Sequence, residues 1–282
     1  MRCAVLGDPI GHSLSPVIHR AAYDALGLDW EYDAVRVPAG GLAGFLDGLD
    51  EGWRGLSLTM PLKREVLPLL DSLDEWGRAA GACNTVLLEP DGQRHGLNTD
   101  VTGALMVLDD AGSDSGSDSG PLERAVVLGA GATAASVLLA LAERGTSEAT
   151  LVVRDPSRAE ETLAVVAAQE RPLAMDVRTF GDVRAARLDA DVVVSTVPAS
   201  AQVPELLASV ATIPVVFEVV YDPWPTPLAR AAEAAGHTLL TGLDLLVAQA
   251  VNQVVAMTGR FDAPAGAMRR AAEEALAARS AG

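Results

Sequence analysis

The chain is expected to be an α/β protein of two domains, one of them built on a parallel, doubly wound sheet. Three observations lead there. Strand-length apolar runs alternate with helical stretches along most of the 282 residues, the pattern of repeated β/α units. Arg124 to Ala135 reads as a strand, a glycine turn and a helix. Between the two halves, Ala111 to Gly120 is a low-complexity, acidic run of Gly, Ser and Asp, the composition of a flexible boundary or surface loop. Hydrophobic residues make up 49% of the chain, enough to build the cores of two medium domains.

The charge balance excludes several function classes. A formal net charge of -17 and a sequence pI of about 4.5 speak against nucleic acid or an anionic membrane as partner. An anionic small molecule would have to be held by local donors against the global field. Cys3 and Cys83 are the two cysteines. Neither a CxxC nor a Cys/His spacing occurs, so no disulfide framework and no metal site are expected. Only a short apolar run separates Met1-Arg2 from Asp8; no signal peptide is expected and a cytoplasmic location fits. Ala125 to Ala142 is uncharged and about as long as a membrane span. Its Gly129-Ala130-Gly131 centre is a poor helix core, so it reads as strand, turn and buried helix.

Taken in order, Arg2 to Gly7 is a first buried strand, broken by Asp8-Pro9-Ile10-Gly11. In His12-Ser13-Leu14-Ser15-Pro16, Ser15 is expected at the N-cap of a helix and Pro16 in its first turn. Ser13 is not needed for that cap, and the two hydroxyls beside free backbone N–H groups suit a carboxylate. Trp30 to Val37 is a second strand, Gly40 to Leu49 a short helix, and Gly55 to Leu58 a third strand ending at Thr59-Met60-Pro61. Pro61 opens a further helix with Lys63 in its first turn. In open α/β sheets ligands bind at the C-terminal strand ends, so Thr59 and Lys63 are expected to face one crevice.

Lys63 is the only lysine in the chain. A bias toward arginine could replace surface lysines but not one that must give and take a proton. Bringing a guanidinium from above ~12 to near 7 costs roughly 7 kcal/mol; a lysine needs much less. A proton-transfer lysine needs a partner, and Asp100 is the candidate, at the head of a helix expected from about Val101. There it would hold the ammonium in place and share its proton; otherwise it is a first-turn acid complementing the helix dipole. Asn84 and Asn98, two of only three asparagines, stand in the pieces Asn84-Thr85 and Asn98-Thr99-Asp100. Asparagine suits such turns; each amide could also offer a donor and an acceptor to substrate hydroxyls.

The second half opens with Gly129-Ala130-Gly131-Ala132-Thr133-Ala134, a G-x-G-x-x-A dinucleotide fingerprint between an apolar strand and an apolar helix. The next strand, Ala149 to Val153, ends in Arg154-Asp155-Pro156-Ser157-Arg158. An acid there suits the ribose hydroxyls of NAD and arginines suit the 2′-phosphate of NADP, so the signal is mixed. Strands over Asp191–Ser195, Val215–Val220 and Leu239–Leu240 follow, then a long helix over Leu243–Thr258 and an amphipathic one over about Ala265–Ala278.

Together, Ser13-Leu14-Ser15-Pro16, Gly55 through Lys63, Gly81 through Thr85, Asn98-Thr99-Asp100, Gly129-Ala130-Gly131, Tyr221-Asp222-Pro223 and Gly242 to Gln249 resemble shikimate dehydrogenases over nearly the whole chain. The resemblance implies NADPH-dependent reduction of 3-dehydroshikimate to shikimate in aromatic amino-acid biosynthesis. It implies an α/β fold of two domains: an N-terminal α/β substrate domain and a Rossmann-type doubly wound dinucleotide-binding domain, with the active site in the cleft between. The expected boundaries are 1–103, 104–240 and 241–282, the last segment returning to the first domain. The resemblance makes Lys63 and Asp100 the catalytic pair. Ser13 and Ser15 would hold the substrate carboxylate, Thr59, Asn84, Asn98 and Gln249 the ring hydroxyls, and Tyr221 would support the substrate. Gly129, Ala130, Gly131, Ala132, Arg154 and Arg158 would hold NADP, with Thr196 and Gly242 near its nicotinamide end. A small-molecule substrate, and a monomer or homodimer, are implied. Four positions depart from the family pattern: Ser57 stands where asparagine is usual, Ala132 follows Gly131, Asp155 sits beside the expected 2′-phosphate site, and Leu245 replaces a usual methionine.

Three readings compete. Asp155 admits an NAD-preferring quinate/shikimate dehydrogenase. A dinucleotide-binding sensor without catalysis would not need both Lys63 and Asp100. A methylene-tetrahydrofolate dehydrogenase would not need the two serines or the Asn-Thr pieces.

Overall fold

A computed structural model of the chain describes residues 1–114, 121–183 and 186–280. The chain divides into two compact units, Met1–Gly103 with Leu246–Gly282, and Ala104–Leu245. Both divisions fall inside helices, Thr99–Asp114 and Gly242–Thr258. Of the expected flexible run, Ala111–Asp114 belongs to the first of these helices, and Ser115–Gly120 lies outside the described residues.

The first unit carries a six-stranded mixed sheet in the order β2-β1-β3-β5-β6-β4. Its strands are β1 Arg2–Gly7, β2 Glu31–Arg36, β3 Trp53–Leu58, β4 Ser72–Leu73, β5 Thr85–Leu88 and β6 Arg94–Leu97. β1 runs parallel to β2 and β3, while β5 is antiparallel to both β3 and β6. The hairpin β5–β6 brings Asn84 and Asn98, at its two open ends, side by side: the Asn84 N–H donates to the Leu97 carbonyl at 3.1 Å. One sheet face buries Leu6, Leu56, Leu58, Leu62 and Val86. On the other, Cys3, Val5, Tyr23, Tyr32 and Met257 pack together.

The helix Ser15–Leu26 begins one residue earlier than a Ser15 cap would require. Leu14 occupies the N-cap position and no side chain caps it. The Ser13 hydroxyl accepts the Ser15 N–H at 3.3 Å, so Ser15 is not the cap the sequence suggested and Ser13 is the serine that meets a backbone N–H at the helix start. The same helix packs against the C-terminal helix Ala265–Ser280.

The second unit is fully parallel, in the order β12-β11-β10-β7-β8-β9. The strands are β7 Arg124–Leu128, β8 Glu148–Val153, β9 Ala174–Thr179, β10 Val192–Ser195, β11 Val215–Glu218 and β12 Thr238–Thr241. This is the doubly wound arrangement with its switch point between β7 and β10. No helix among the described residues is long and apolar enough to cross a membrane.

His19 lies fully buried on the helix Ser15–Leu26. It stacks on Tyr32 with ring centroids 3.9 Å apart, and its Nδ1–H donates to the Ser15 carbonyl at 3.0 Å. Burial pushes its pKa from 6.5 down to about 4. The unfolded chain therefore takes up the proton first. The stability that neutral His19 contributes is complete above about 6.5 and is lost as pH falls toward 4. The loss approaches about 3 kcal/mol at full titration. Thermal unfolding of the wild type and of His19→Phe, followed between these limits, should show a steeper fall in midpoint for the wild type. Parallel curves would contradict this account.

Candidate functional site

The stretch Gly55 to Lys63 leaves the sheet at the C-terminal end of β3 and turns at once. The Leu62 N–H donates to the Thr59 carbonyl at 2.8 Å and opens the four-residue helix Leu62–Glu65. Leu62 is fully buried, an anchor worth about 1.5–3 kcal/mol for a short element with little stability of its own. The Lys63 carbonyl accepts the Cys83 N–H at 2.7 Å, which ties the lysine backbone to the start of β5. Gly7 has to be glycine for this crossing, since a Cβ there would lie 2.4 Å from the Thr59 methyl. Thr59 is half-buried beside it.

The Lys63 ammonium donates to Oδ2 of Asp100 at 2.5 Å. The side chains are 16% and 9% exposed, so the ion pair is largely withdrawn from water. Asp100 is held from two further directions. Its Oδ1 accepts from Nδ2 of Asn84 at 2.8 Å. Its backbone N–H donates to Oδ1 of Asn98 at 3.1 Å, and the Val101 N–H donates to the same oxygen at 3.3 Å. Asn98 is thus the cap of the helix Thr99–Asp114, and its own amide donates to the Ala82 carbonyl at 2.9 Å. Asn84 is 2% exposed; its Oδ1 accepts the Thr99 N–H and the Thr85 hydroxyl, both at 2.9 Å.

Gln249 reaches this cluster from the helix Gly242–Thr258. Its Oε1 lies 3.4 Å from the Thr99 hydroxyl and 3.5 Å from Nδ2 of Asn84, and its Nε2 donates to the Leu246 carbonyl. The two helices touch at Gly103, where a Cβ would stand 2.9 Å from the Gln249 nitrogen. Lys63, Asp100, Asn84, Asn98 and Gln249 are therefore brought together. Ser13 and Ser15 stay with the first helix, Ser15 buried and Ser13 half-buried.

Two participants were not expected from the sequence. Thr85 and Gln253 are both buried, and Nε2 of Gln253 donates to the Thr85 hydroxyl at 2.9 Å. The available signal was the spacing: Gln249 and Gln253, four residues apart, share one face of a mostly apolar helix. Ser57, at the departure from the usual asparagine, joins the same network. Its hydroxyl donates to Oε1 of Gln253 at 2.9 Å and accepts from the Tyr32 hydroxyl at 2.6 Å.

In the second unit, Gly129-Ala130-Gly131 turns between β7 and the helix Ala132–Glu143. Gly129 has φ +102°, and a Cβ there would lie 2.4 Å from the Thr196 hydroxyl. That hydroxyl and the Thr196 N–H both donate to the Leu128 carbonyl at 2.9 Å. No side chain caps the helix at Gly131, and the space over its Cα is open. The first helical N–H groups therefore present a donor set of the kind that receives a pyrophosphate. Arg154 and Arg158 follow β8 and are exposed, guanidinium donors suited to a 2′-phosphate. These features fit a phosphorylated dinucleotide. Asp155 is exposed as well, but its carboxylate accepts the Ser157 N–H at 3.0 Å and the Ser157 hydroxyl at 2.9 Å. Those hydrogen bonds hold its carboxyl below the usual range.

Tyr221 is half-buried in the loop after β11. Buried Glu218 fastens both ends of that loop, accepting the Val220 N–H at 3.1 Å and the Thr226 hydroxyl at 2.8 Å. Gly242 follows β12 so close to the Val219 carbonyl that a Cβ would meet its oxygen at 2.0 Å. Among the described residues no cluster of three or more His, Cys, Asp or Glu could hold a metal ion.

Residues 5–86 match the family model described as the shikimate dehydrogenase substrate binding domain. The chain is 36% identical over 292 residues to the shikimate dehydrogenase (NADP(+)) of Moorella thermoacetica, covering 99% of this chain and 95% of the relative. The crystal structure of Mycobacterium tuberculosis shikimate dehydrogenase superposes with a TM-score of 0.83 at 35% identity, over 97% of this chain and 99% of the other. A Thermus thermophilus shikimate 5-dehydrogenase, solved in complex with NADP(H) and shikimate, gives a TM-score of 0.78 at 32% identity, over 98% and 100%. With the ammonium–carboxylate pair in the first unit and the glycine turn in the second, the chain belongs to the shikimate dehydrogenase family.

Proposed function

We propose that the protein catalyses the reversible NADPH-dependent reduction of 3-dehydroshikimate to shikimate, with Lys63 and Asp100 as the proton-transferring pair. The observation that carries the reading is the 2.5 Å contact between the only lysine and a buried carboxylate. The first unit binds the substrate and the second the dinucleotide. NADPH, when bound, supplies the hydride that reduces the substrate ketone. As the carbonyl oxygen gains charge, the Lys63 ammonium stabilises it and delivers a proton; in the oxidative direction lysine takes that proton back. Asp100 keeps the ammonium aimed and balances its charge. Ser13 and Ser15 hold the substrate carboxylate through their hydroxyls, which a net charge of -17 makes the more necessary. Thr59, Asn84, Asn98 and Gln249 face the ring hydroxyls, and Tyr221 supports the substrate.

On the dinucleotide side, the N–H groups after Gly131 hold the pyrophosphate, with Gly129, Ala130 and Ala132 shaping the turn. Arg154 and Arg158 hold the 2′-phosphate; Thr196 and Gly242 border the nicotinamide end. Asp155 favoured an NAD-preferring quinate/shikimate dehydrogenase on sequence alone. Its engagement with Ser157 supports a turn-capping role instead, compatible with NADP.

Initial rates of shikimate and of quinate oxidation, each with NADP⁺ and with NAD⁺, test the function. Turnover of shikimate with NADP⁺ far above the other pairs is expected. Comparable rates with quinate or NAD⁺ would favour the catabolic reading, and no turnover in a sample that still binds dinucleotide would favour a sensor. In the same assay Asp155→Thr should leave the NADP⁺/NAD⁺ preference unchanged; a marked shift toward NADP⁺ would place its carboxylate at the ribose.

A further inference from the structure

The buried polar groups behind Asp100 form one continuous chain of hydrogen bonds, and the direction of every link is fixed. Two backbone groups set it. The Thr99 N–H donates to one end of the Asn84 amide at 2.9 Å, so that end is the oxygen, and the nitrogen faces Oδ1 of Asp100. The Asn84 carbonyl accepts from the Gln253 amide at 3.3 Å, so that end of Gln253 is the nitrogen. Between these anchors the Thr85 hydroxyl has one hydrogen. It must donate to Oδ1 of Asn84 and accept from Nε2 of Gln253. The other end of Gln253 is then oxygen and accepts from Ser57, whose single hydrogen is thereby used, so Ser57 accepts from Tyr32.

Read from the far end, each group donates to the next: Tyr32, Ser57, Gln253, Thr85, Asn84 and finally the Asp100 carboxylate. All six are buried, none more than 6% exposed. Burial pushes the Tyr32 phenol well above its ordinary range, so it remains a donor. A chain of donors aligned in one direction polarises each link, and this one ends on the carboxylate that holds Lys63. The register of the sheet builds it, since Ser57 and Thr85 are directly opposed across β3 and β5.

We infer that Thr85 and Gln253 are positioning residues for the reaction: by adding a second donor to the Asn84 oxygen beside the Thr99 N–H, they hold the Asn84 amide in place, keep a donor on Oδ1 of Asp100 and so aim Oδ2 at Lys63. The inference rests on the proposed role of the Lys63–Asp100 pair. Without the Thr85 hydrogen, Asn84 loses one of the donors that hold its orientation. A carboxylate at position 253 would take that hydrogen for itself and break the chain at the same point.

The test is steady-state shikimate oxidation with NADP⁺ by wild type, Thr85→Val, Thr85→Ser and Gln253→Glu, with thermal melts of each. Thr85→Val keeps the shape and removes the hydroxyl. Its kcat should fall about ten-fold, with the KM for shikimate within about two-fold of wild type. Thr85→Ser should restore most of the rate, and the solvent deuterium isotope effect on kcat should rise in Thr85→Val as the proton step becomes limiting. Gln253→Glu should reproduce the loss, and the double variant should be no worse than the more impaired single. A folded Thr85→Val with wild-type kcat, or a Thr85→Ser no faster than Thr85→Val, would overturn the inference. Should Thr85→Val not fold, a Gln253→Glu with full rate would overturn it equally. Failure of the wild type itself to turn over shikimate would instead strike at the proposed function.

Discussion

A lysine and an aspartate facing each other at 2.5 Å, largely out of water, set the terms for the first unit. Withdrawing two charges from solvent costs several kcal/mol each, and their attraction offsets this only if the remaining lone pairs are satisfied. Here they are. Asn84 takes the second carboxylate oxygen, Asn98 takes the Asp100 N–H, and the Lys63 carbonyl is bonded to Cys83. The β5–β6 hairpin places the two asparagines, and the close helix crossing at Gly103 brings Gln249 to them. Removing either charge would leave its partner buried and uncompensated, so the pair is also a constraint on the fold around it.

The second unit solves a different problem with backbone. An acidic chain must hold an anionic dinucleotide, and in the proposed site it does so with local donors, backbone N–H groups and two guanidinium cations, set against the global field. They are the free N–H groups of a helix start, a turn with φ +102° at Gly129, and two arginines after β8. Glu218, a buried carboxylate whose pKa burial raises, fastens both ends of the loop that carries Tyr221.

Much of this was legible in the sequence because it rested on short-range chemistry. The glycine turn with its flanking apolar runs, the solitary lysine, and the Asn-Thr pieces are local patterns, and the structure gathers Lys63, Asp100, Asn84, Asn98 and Gln249 at one place. What escaped depends on tertiary partners. Ser15 had the composition of a cap, yet the chain enters its helix from Leu14 and the Ser13 hydroxyl meets the Ser15 N–H instead. β9 shows no fully buried position, so its sequence lacks the continuous apolar run that marks β7, β10 and β11. Thr85 and Gln253 are unremarkable until β3, β5 and the returning helix meet. The acidic run beyond Ala111 read as loop, but helix continues through Asp114.

The central claim is that Lys63 and Asp100 act as one unit, and a double-mutant cycle in kcat for shikimate oxidation addresses it directly. Lys63→Met and Asp100→Asn are each expected to lose at least about two orders of magnitude, the usual scale for a positioned acid–base group. The double variant should then be no slower than the slower single one, because either change already disables the pair. Losses that multiply would mean that the two residues contribute independently and would contradict the account.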